Sequence, residues 1–131
     1  MSDHINVMIV DDQAETRLGF ALVLRRDPSL HLWGQAGDGK QAVDAVDRAA
    51  EAGRTLPDVV LMDVRMPVMD GIDACARICE RHPEVRVLIL TTYDEDDYAF
   101  GGLEAGASGF LLKDVRSREL IDAVHAVAEG D

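Results

Sequence analysis

The sequence predicts an α/β domain built on a parallel sheet, and three observations carry that prediction. Five short apolar runs of strand length alternate with five stretches of helical periodicity. The longer runs, such as Val59-Val60-Leu61-Met62 and VRVLIL at 85–90, read as strands buried on both faces. Hydrophobic residues make up 47% of the chain and aromatic ones 5%, so aliphatic side chains must fill the core. At 131 residues the chain is of single-domain size.

Each element can be justified in turn. Ile5 to Val10 (INVMIV) is the first buried strand and runs straight into Asp11-Asp12. Gln13 to Arg26 has helical spacing, with Leu18, Ala21, Leu22 and Leu24 expected on its inward face, and Asp27-Pro28 stops it. Leu30 to Ala36 alternates as a half-exposed edge strand does, and Trp33 is expected to pack under a neighbouring helix. Asp38-Gly39 turns the chain into a helix over about Lys40 to Ala52, with Ala42, Val43, Val46 and Ala49 inward. The third strand leads into Asp63, Met66-Pro67 breaks regular structure, and Asp70-Gly71 signals a turn or helix start.

The third helix spans about Gly71 to Arg81 and stops before Pro83. Val85 to Leu90 forms the fourth strand and ends at Thr91-Thr92. A weaker helix over about Glu95 to Leu103 follows, and Gly106 and Gly109 frame a turn. Phe110-Leu111-Leu112 is a short fifth strand ending at Lys113. Ser117 to Ala128 closes the chain as a helix with Leu120, Val124 and Val127 inward and Arg118, Asp122 and Glu129 outward.

Composition narrows function. Thirteen basic against 25 acidic residues give a net charge of −12, which repels phosphate backbones and argues against direct nucleic-acid binding by this domain. Clustered acids favour a cation or a basic partner face instead. Cys75 and Cys79 share the spacing of Ile72, Ala76 and Ile78 and read as buried core thiols; two thiols with no histidine nearby make a poor zinc site. No apolar run approaches the roughly 18 residues that span a membrane, and the start MSDHINV has no signal-peptide core. The expectation is a cytoplasmic soluble domain without membrane contact.

The chemistry lies at the strand ends. The first strand delivers Asp11 and Asp12, the third Asp63, the fourth Thr91 and the fifth Lys113. In a parallel sheet the carboxyl ends share one edge, where open α/β sheets bind ligands. Three carboxylates in one crevice repel each other unless a cation joins them, and an oxygen-rich set suits Mg2+. A hydroxyl and an ammonium beside them suit phosphoryl oxygens. The composite reading is an aspartyl phosphate on Asp63 formed with magnesium. Singly, each residue has a plainer reading: Asp11-Asp12 and Asp63 as caps, Thr91 as a strand end, Lys113 as a solvated charge.

The Asp-Asp pair after the first strand, Asp63 within DVRMPVMDG, LTTYD at 90–94 and GASGFLLKD at 106–114 resemble the receiver domain of two-component response regulators. The TTYD and LLKD spellings are most similar to the NarL/FixJ (LuxR-type) subgroup, and the resemblance covers essentially all of residues 1–131. It implies a flavodoxin-like (βα)5 three-layer sandwich with a parallel sheet of order 2-1-3-4-5. It implies that Asp63 takes phosphoryl from a sensor histidine kinase or a small acyl phosphate. Asp12 would bind Mg2+ directly, Asp11 mainly through water, with Asp63 and the Arg65 backbone carbonyl as further ligands. Thr91 and Lys113 would contact phosphoryl oxygens, and Phe110 would act as an aromatic switch that turns inward.

The same resemblance implies homodimerisation on phosphorylation and DNA contact only through a helix-turn-helix output domain outside this chain; a stand-alone receiver is the alternative. Three departures stand out. Asp114 follows the lysine where many receivers have proline, so no cis bond is carried over. Phe110 lacks the hydroxyl of the tyrosine often found there. Gly101-Gly102 weaken the fourth helix by about 1 kcal/mol each against alanine, so 95–105 is expected to be the least stable helix and to move on phosphorylation. Arg65 and Tyr93 flank the site and are expected to restrict attacking water. A haloacid-dehalogenase-type phosphatase would want an acid where Arg65 stands, and a flavin carrier would want a Ser/Thr/Gly loop where Asp11-Asp12 stand.

Overall fold

The computed structural model describes residues 4–92 and 101–130. Its five strands are β1 (Ile5–Val10), β2 (Leu30–Ala36), β3 (Val59–Asp63), β4 (Arg86–Thr91) and β5 (Gly109–Leu112). They form one sheet of order β2-β1-β3-β4-β5, parallel at every pairing. The described helices are α1 (Ala14–Leu24), α2 (Gly39–Glu51), α3 (Gly71–Arg81), α4 (helical residues 101–104) and α5 (Ser117–Ala128). Of the helix expected over 95–103, residues 95–100 lie outside the described residues. This is the flavodoxin-like three-layer arrangement.

Alternation along the strands builds two cores, one on each sheet face. Met8 and Val10, Val60 and Met62, and Val87 and Ile89 face α2 and α3, where Val43, Val46, Ala74 and Ile78 cover them. Val7 and Ile9, Val59 and Leu61, and Leu88 and Leu90 face the other way, under Ala21 and Leu24 of α1 and Leu120, Val124 and Val127 of α5. Full burial of such side chains contributes roughly 1.5–3 kcal/mol each. Central β3 is buried along its whole length, as a strand covered on both faces must be.

Helix ends follow local chemistry. Asp38 caps α2 by accepting the Gln41 amide at 2.8 Å, and Asp70 caps α3 by accepting the Asp73 amide at 2.8 Å. Helix α1 starts one residue later than the spacing predicts and ends at Leu24, because its last turn tightens into i−3 bonds from Arg26 to Val23 and from Asp27 to Leu24. Its predicted face needs correction. Ala21 and Leu24 are buried, but Leu18 and Leu22 stand 60% and 51% exposed. Residues 20–24 are apolar throughout, so periodicity could not choose the buried side.

Edge strand β2 carries a register shift opposite Val7/Met8 that skips Trp33. The indole packs against the α2-side core and donates to the Thr55 carbonyl at 2.8 Å, consistent with the helix-packing role predicted for it. Cys75 is fully buried, as predicted, whereas Cys79 is only half-buried. Gly102 is needed for packing: a Cβ there would sit 2.9 Å from Ile89 Cγ1 and 3.2 Å from Ile72 Cδ1. Among the described residues no helix is long and apolar enough to cross a membrane.

Candidate functional site

The sheet brings the predicted residues to one edge. Asp63 closes β3 opposite Leu90, and Thr91 closes β4 opposite Leu112. The Lys113 amide donates to the Thr91 carbonyl at 2.7 Å, fixing the lysine directly past the end of β5. The Asp11 amide donates to the Ala36 carbonyl at 3.1 Å, so the acid pair leaves β1 still tied to the sheet. Asp11, Asp12 and Asp63 each offer a carboxylate oxygen within 4.8 Å of the others.

Lys113 bridges the two buried acids. Its Nζ lies 2.8 Å from Asp63 Oδ1 and 3.1 Å from Asp11 Oδ2. Asp63 Oδ1 also accepts the Val64 amide at 2.9 Å. Burial pushes the Asp63 carboxyl up to about 6; Lys113 opposes that rise and the Asp11 charge adds to it. Burial alone would push the Lys113 ammonium down, but the hydrogen bond to Asp63 and the negative charges of Asp63 and Asp11 outweigh it and hold its pKa above the usual lysine range. The site therefore stores uncompensated negative charge in a partly dry crevice.

Asp11 serves two purposes. Its Oδ1 accepts the Gln13 amide at 2.9 Å, which closes a local turn; α1 begins past Gln13 with no side-chain cap, so the plain reading of this acid as a helix cap does not hold. Oδ2 is buried and, although at ion-pair distance from Lys113, makes no hydrogen bond. A buried, unbonded carboxylate oxygen beside two more acids is a donor set that fits a hard cation. Asp12 is exposed and completes the set from the solvent side. Thr91 is fully buried, and its hydroxyl makes a 3.2 Å bond to the Thr92 carbonyl.

The loop after β3 is shaped by features that the residue types only hinted at. Gly71 opens α3 against the end of β3: a Cβ there would stand 1.8 Å from the Asp63 carbonyl oxygen, so no other residue fits without moving the backbone. The Gly71 amide also donates to the Val64 carbonyl at 2.7 Å. Val68 adopts φ 72°, a left-handed conformation that is costly for a β-branched residue, and the Met69 amide donates to the Pro67 carbonyl at 2.8 Å across it. Pro67-Val68-Met69 thus forms a tight three-residue turn. The proline signalled a break but gave no sign of that strain.

The remaining candidates are placed less fully. Arg65 is exposed on the loop two residues past Asp63. Phe110 is half-buried on β5 opposite Ile89 and packs against the α2-side core. No described residue has a cis peptide bond, so Lys113-Asp114 is trans. Tyr93 lies outside the described residues.

Comparison with known proteins agrees with this geometry. Residues 7–125 match the response regulator receiver domain family. The chain is 43% identical over 129 residues to the transcriptional regulatory protein YxjL of Bacillus subtilis (strain 168), covering 98% of this chain and 56% of that protein. It thus spans little more than half the length of the curated relatives it matches. The signal receiver domain assigned to the response regulator NarL of Mycobacterium tuberculosis superimposes with a TM-score of 0.86 at 34% identity, covering 98% of each chain. A CheX-CheY-BeF3-Mg+2 complex from Borrelia burgdorferi matches with a TM-score of 0.82 at 26% identity, covering 94% of this chain and 88% of that one. With fold, strand-end acids and sequence in agreement, the chain belongs to the response regulator receiver domains, signalling proteins of two-component systems, and its relatives are transcriptional regulators of the NarL/LuxR type.

Proposed function

We propose that this receiver accepts a phosphoryl group on Asp63 from the phosphohistidine of a sensor histidine kinase, or from a small acyl phosphate. The observation that carries the reading is the Lys113 ammonium 2.8 Å from Asp63 Oδ1, inside a group of three carboxylates. Oδ1 is already bonded to Val64 and Lys113, so attack falls to Oδ2. That oxygen attacks phosphorus, the donor's P–N or P–O bond breaks, and its electron pair leaves with the donor. Lys113 then pairs with a phosphoryl oxygen, and the Thr91 hydroxyl donates to another once it leaves the Thr92 carbonyl.

Asp11, Asp12, Asp63 and the Arg65 carbonyl would hold Mg2+, with Asp11 mainly through water. The ion would offset the negative charge of the phosphoryl oxygens. The unbonded Asp11 Oδ2 supports this, as does the relative solved with BeF3 and Mg2+. Leu18 and Leu22, exposed on the helix that follows Asp11-Asp12, offer an apolar surface for the kinase. Phosphorylation would draw Thr91 toward the phosphoryl group, let Phe110 turn inward by packing alone, and favour a homodimer. Output would be transcription in the cytoplasm through a DNA-binding domain outside this chain. The domain would assist its own phosphorylation and dephosphorylation but turn over no external substrate.

Intact-mass measurement after incubation with Mg2+ and a small acyl phosphate tests the reading. One added phosphoryl group is expected, absent in Asp63→Asn and without Mg2+. No adduct on the wild-type chain, with a donor active on another receiver, would overturn it.

A further inference from the structure

The two cysteines lie outside the phosphorylation site and have no role in it. Both sit on the side of α3 that meets α4 and the turn after it. Cys75 Sγ is 3.8 Å from Cys79 Sγ and 4.0 Å from the Gly102 carbonyl, while Cys79 Sγ is 3.4 Å from the Gly106 carbonyl. Gly106 is packed so closely that a Cβ on it would lie 3.0 Å from Cys79 Cβ. The thiols thus form part of the seam between α3 and the segment leading into β5. Cys75 is fully buried and Cys79 half-buried, an asymmetry that separates an accessible thiol from a shielded one.

We infer that Cys75 and Cys79 form a reversible dithiol–disulfide oxidation site, with Cys79 as the attacking thiol and Cys75 as the resolving one. The arrangement is that of a redox-sensing cysteine, solvent-accessible and poised beside a resolving partner. The Cys75 hydrogen bond stabilises the Cys79 thiolate and lowers the Cys79 pKa, whereas that same bond together with burial pushes the Cys75 thiol up. The oxidant is a hydroperoxide. Cys79 thiolate attacks one peroxide oxygen, the O–O bond breaks, and the alkoxide or hydroxide takes up a proton, leaving a sulfenic acid. Cys75 sulfur then attacks Cys79 sulfur, its proton and the sulfenic hydroxyl leave as water, and the S–S bond forms. Two sulfurs are oxidised by one electron each, and the peroxide takes both electrons.

Strain makes the site a switch and not a staple. Residues four apart on a helix hold their Cβ atoms about 5–6 Å apart, against about 3.8 Å in a disulfide. Closing the bond must open or tighten the end of α3, and Cys79 stands two residues from its last residue, Arg81, where a helix yields easily. A strained disulfide is readily reduced, as a sensor in a reducing compartment requires. Swinging Cys79 Sγ toward Cys75 also removes its contact with the Gly106 carbonyl, so oxidation is felt in the turn that feeds β5.

The test uses the full chain, reduced, then treated with hydrogen peroxide and alkylated under denaturing conditions. The expected result is a monomer lighter by two hydrogens with neither thiol alkylated, restored by dithiothreitol. Cys79→Ser should leave Cys75 free to alkylate, and Cys75→Ser should stop at one added oxygen that dimedone captures on Cys79. Hydrogen exchange at the Gly106 and Ala107 amides should quicken roughly tenfold in the oxidised chain, as local opening there becomes easier. Two alkylatable thiols after treatment, disulfide-linked dimers in place of the intramolecular bond, or unchanged exchange at those amides would overturn the inference.

Discussion

Gly71 lies so close to Asp63 that a single methyl group on it would overlap the Asp63 carbonyl oxygen at 1.8 Å. The residue that opens α3 therefore sets the backbone position of the acid that closes β3. Backbone atoms cannot swing aside as a side chain can. Gly71→Ala should cost about 3 kcal/mol, the upper part of the usual overpacking range, read as a lower urea midpoint. Where the variant still folds, phosphoryl loading from an acyl phosphate should fall more than stability does. An unchanged midpoint would show that the loop adapts and that the contact is not restrictive.

Metal-free protein should show an unusual pH dependence from Asp63. Burial raises this carboxyl from 3.8 to about 6 in the native state. Between those values the native chain holds a proton that the unfolded chain has released, so stability falls as pH rises through the window. The loss amounts to at most about 3 kcal/mol at 1.36 kcal/mol per pH unit. Asp63→Asn should remove this limb of the curve, and Mg2+, which favours the ionised acids, should offset it. Carboxyl carbon NMR should place the Asp63 midpoint higher in Lys113→Ala and lower in Asp11→Asn, because the lysine opposes the rise and the second acid adds to it. A midpoint near 4 in the metal-free chain would refute the account.

The strands and the acids were legible because they are written in local sequence. A buried parallel strand is a run of aliphatics, and a charged residue directly after the run can stand only at the sheet's carboxyl edge; Asp11, Asp63 and Lys113 follow from that rule. Helix α3 was read to the residue because Asp70 caps it and Pro83 bars its continuation. What the sequence hid depends on contacts across the chain. Leu18 and Leu22 looked like core alongside Ala21 and Leu24 because nothing local says that only the latter two meet the sheet. Gly102 looked like a weak point in a helix, yet it lets α4 approach Ile72 and Ile89. The left-handed Val68 is visible only once the loop closes between β3 and α3.

The two glycines of α4 should consequently behave in opposite ways. A methyl group on Gly101 would meet Ile72 Cγ2 at an ordinary 3.6 Å, whereas one on Gly102 would meet Ile89 Cγ1 at 2.9 Å. Gly101→Ala gains helix propensity without a clash and should stabilise the chain by about 0.5–1 kcal/mol. Gly102→Ala gains the same propensity but must displace a packed isoleucine at about 1–3 kcal/mol, leaving a net loss of about 1 kcal/mol. Thermal melts of both variants check this. Equal shifts of the same sign would mean that α4 does not pack as closely as its contacts indicate.

The exposed pair on α1 allows kinase docking to be separated from chemistry. Leu18 and Leu22 cover little of the protein's own core, so their truncation should leave the melting temperature nearly unchanged. If the kinase covers them, the double variant Leu18→Ala, Leu22→Ala gives up contacts worth about 1.4 kcal/mol or more, which is about tenfold in phosphotransfer efficiency. A small acyl phosphate needs no docking surface, so its loading of Asp63 should not change in the same variant. Comparing the two donors on one preparation makes the readout internal. Equal loss with both would place the effect in the phosphorylation site, and no loss with either would leave these leucines outside the kinase interface.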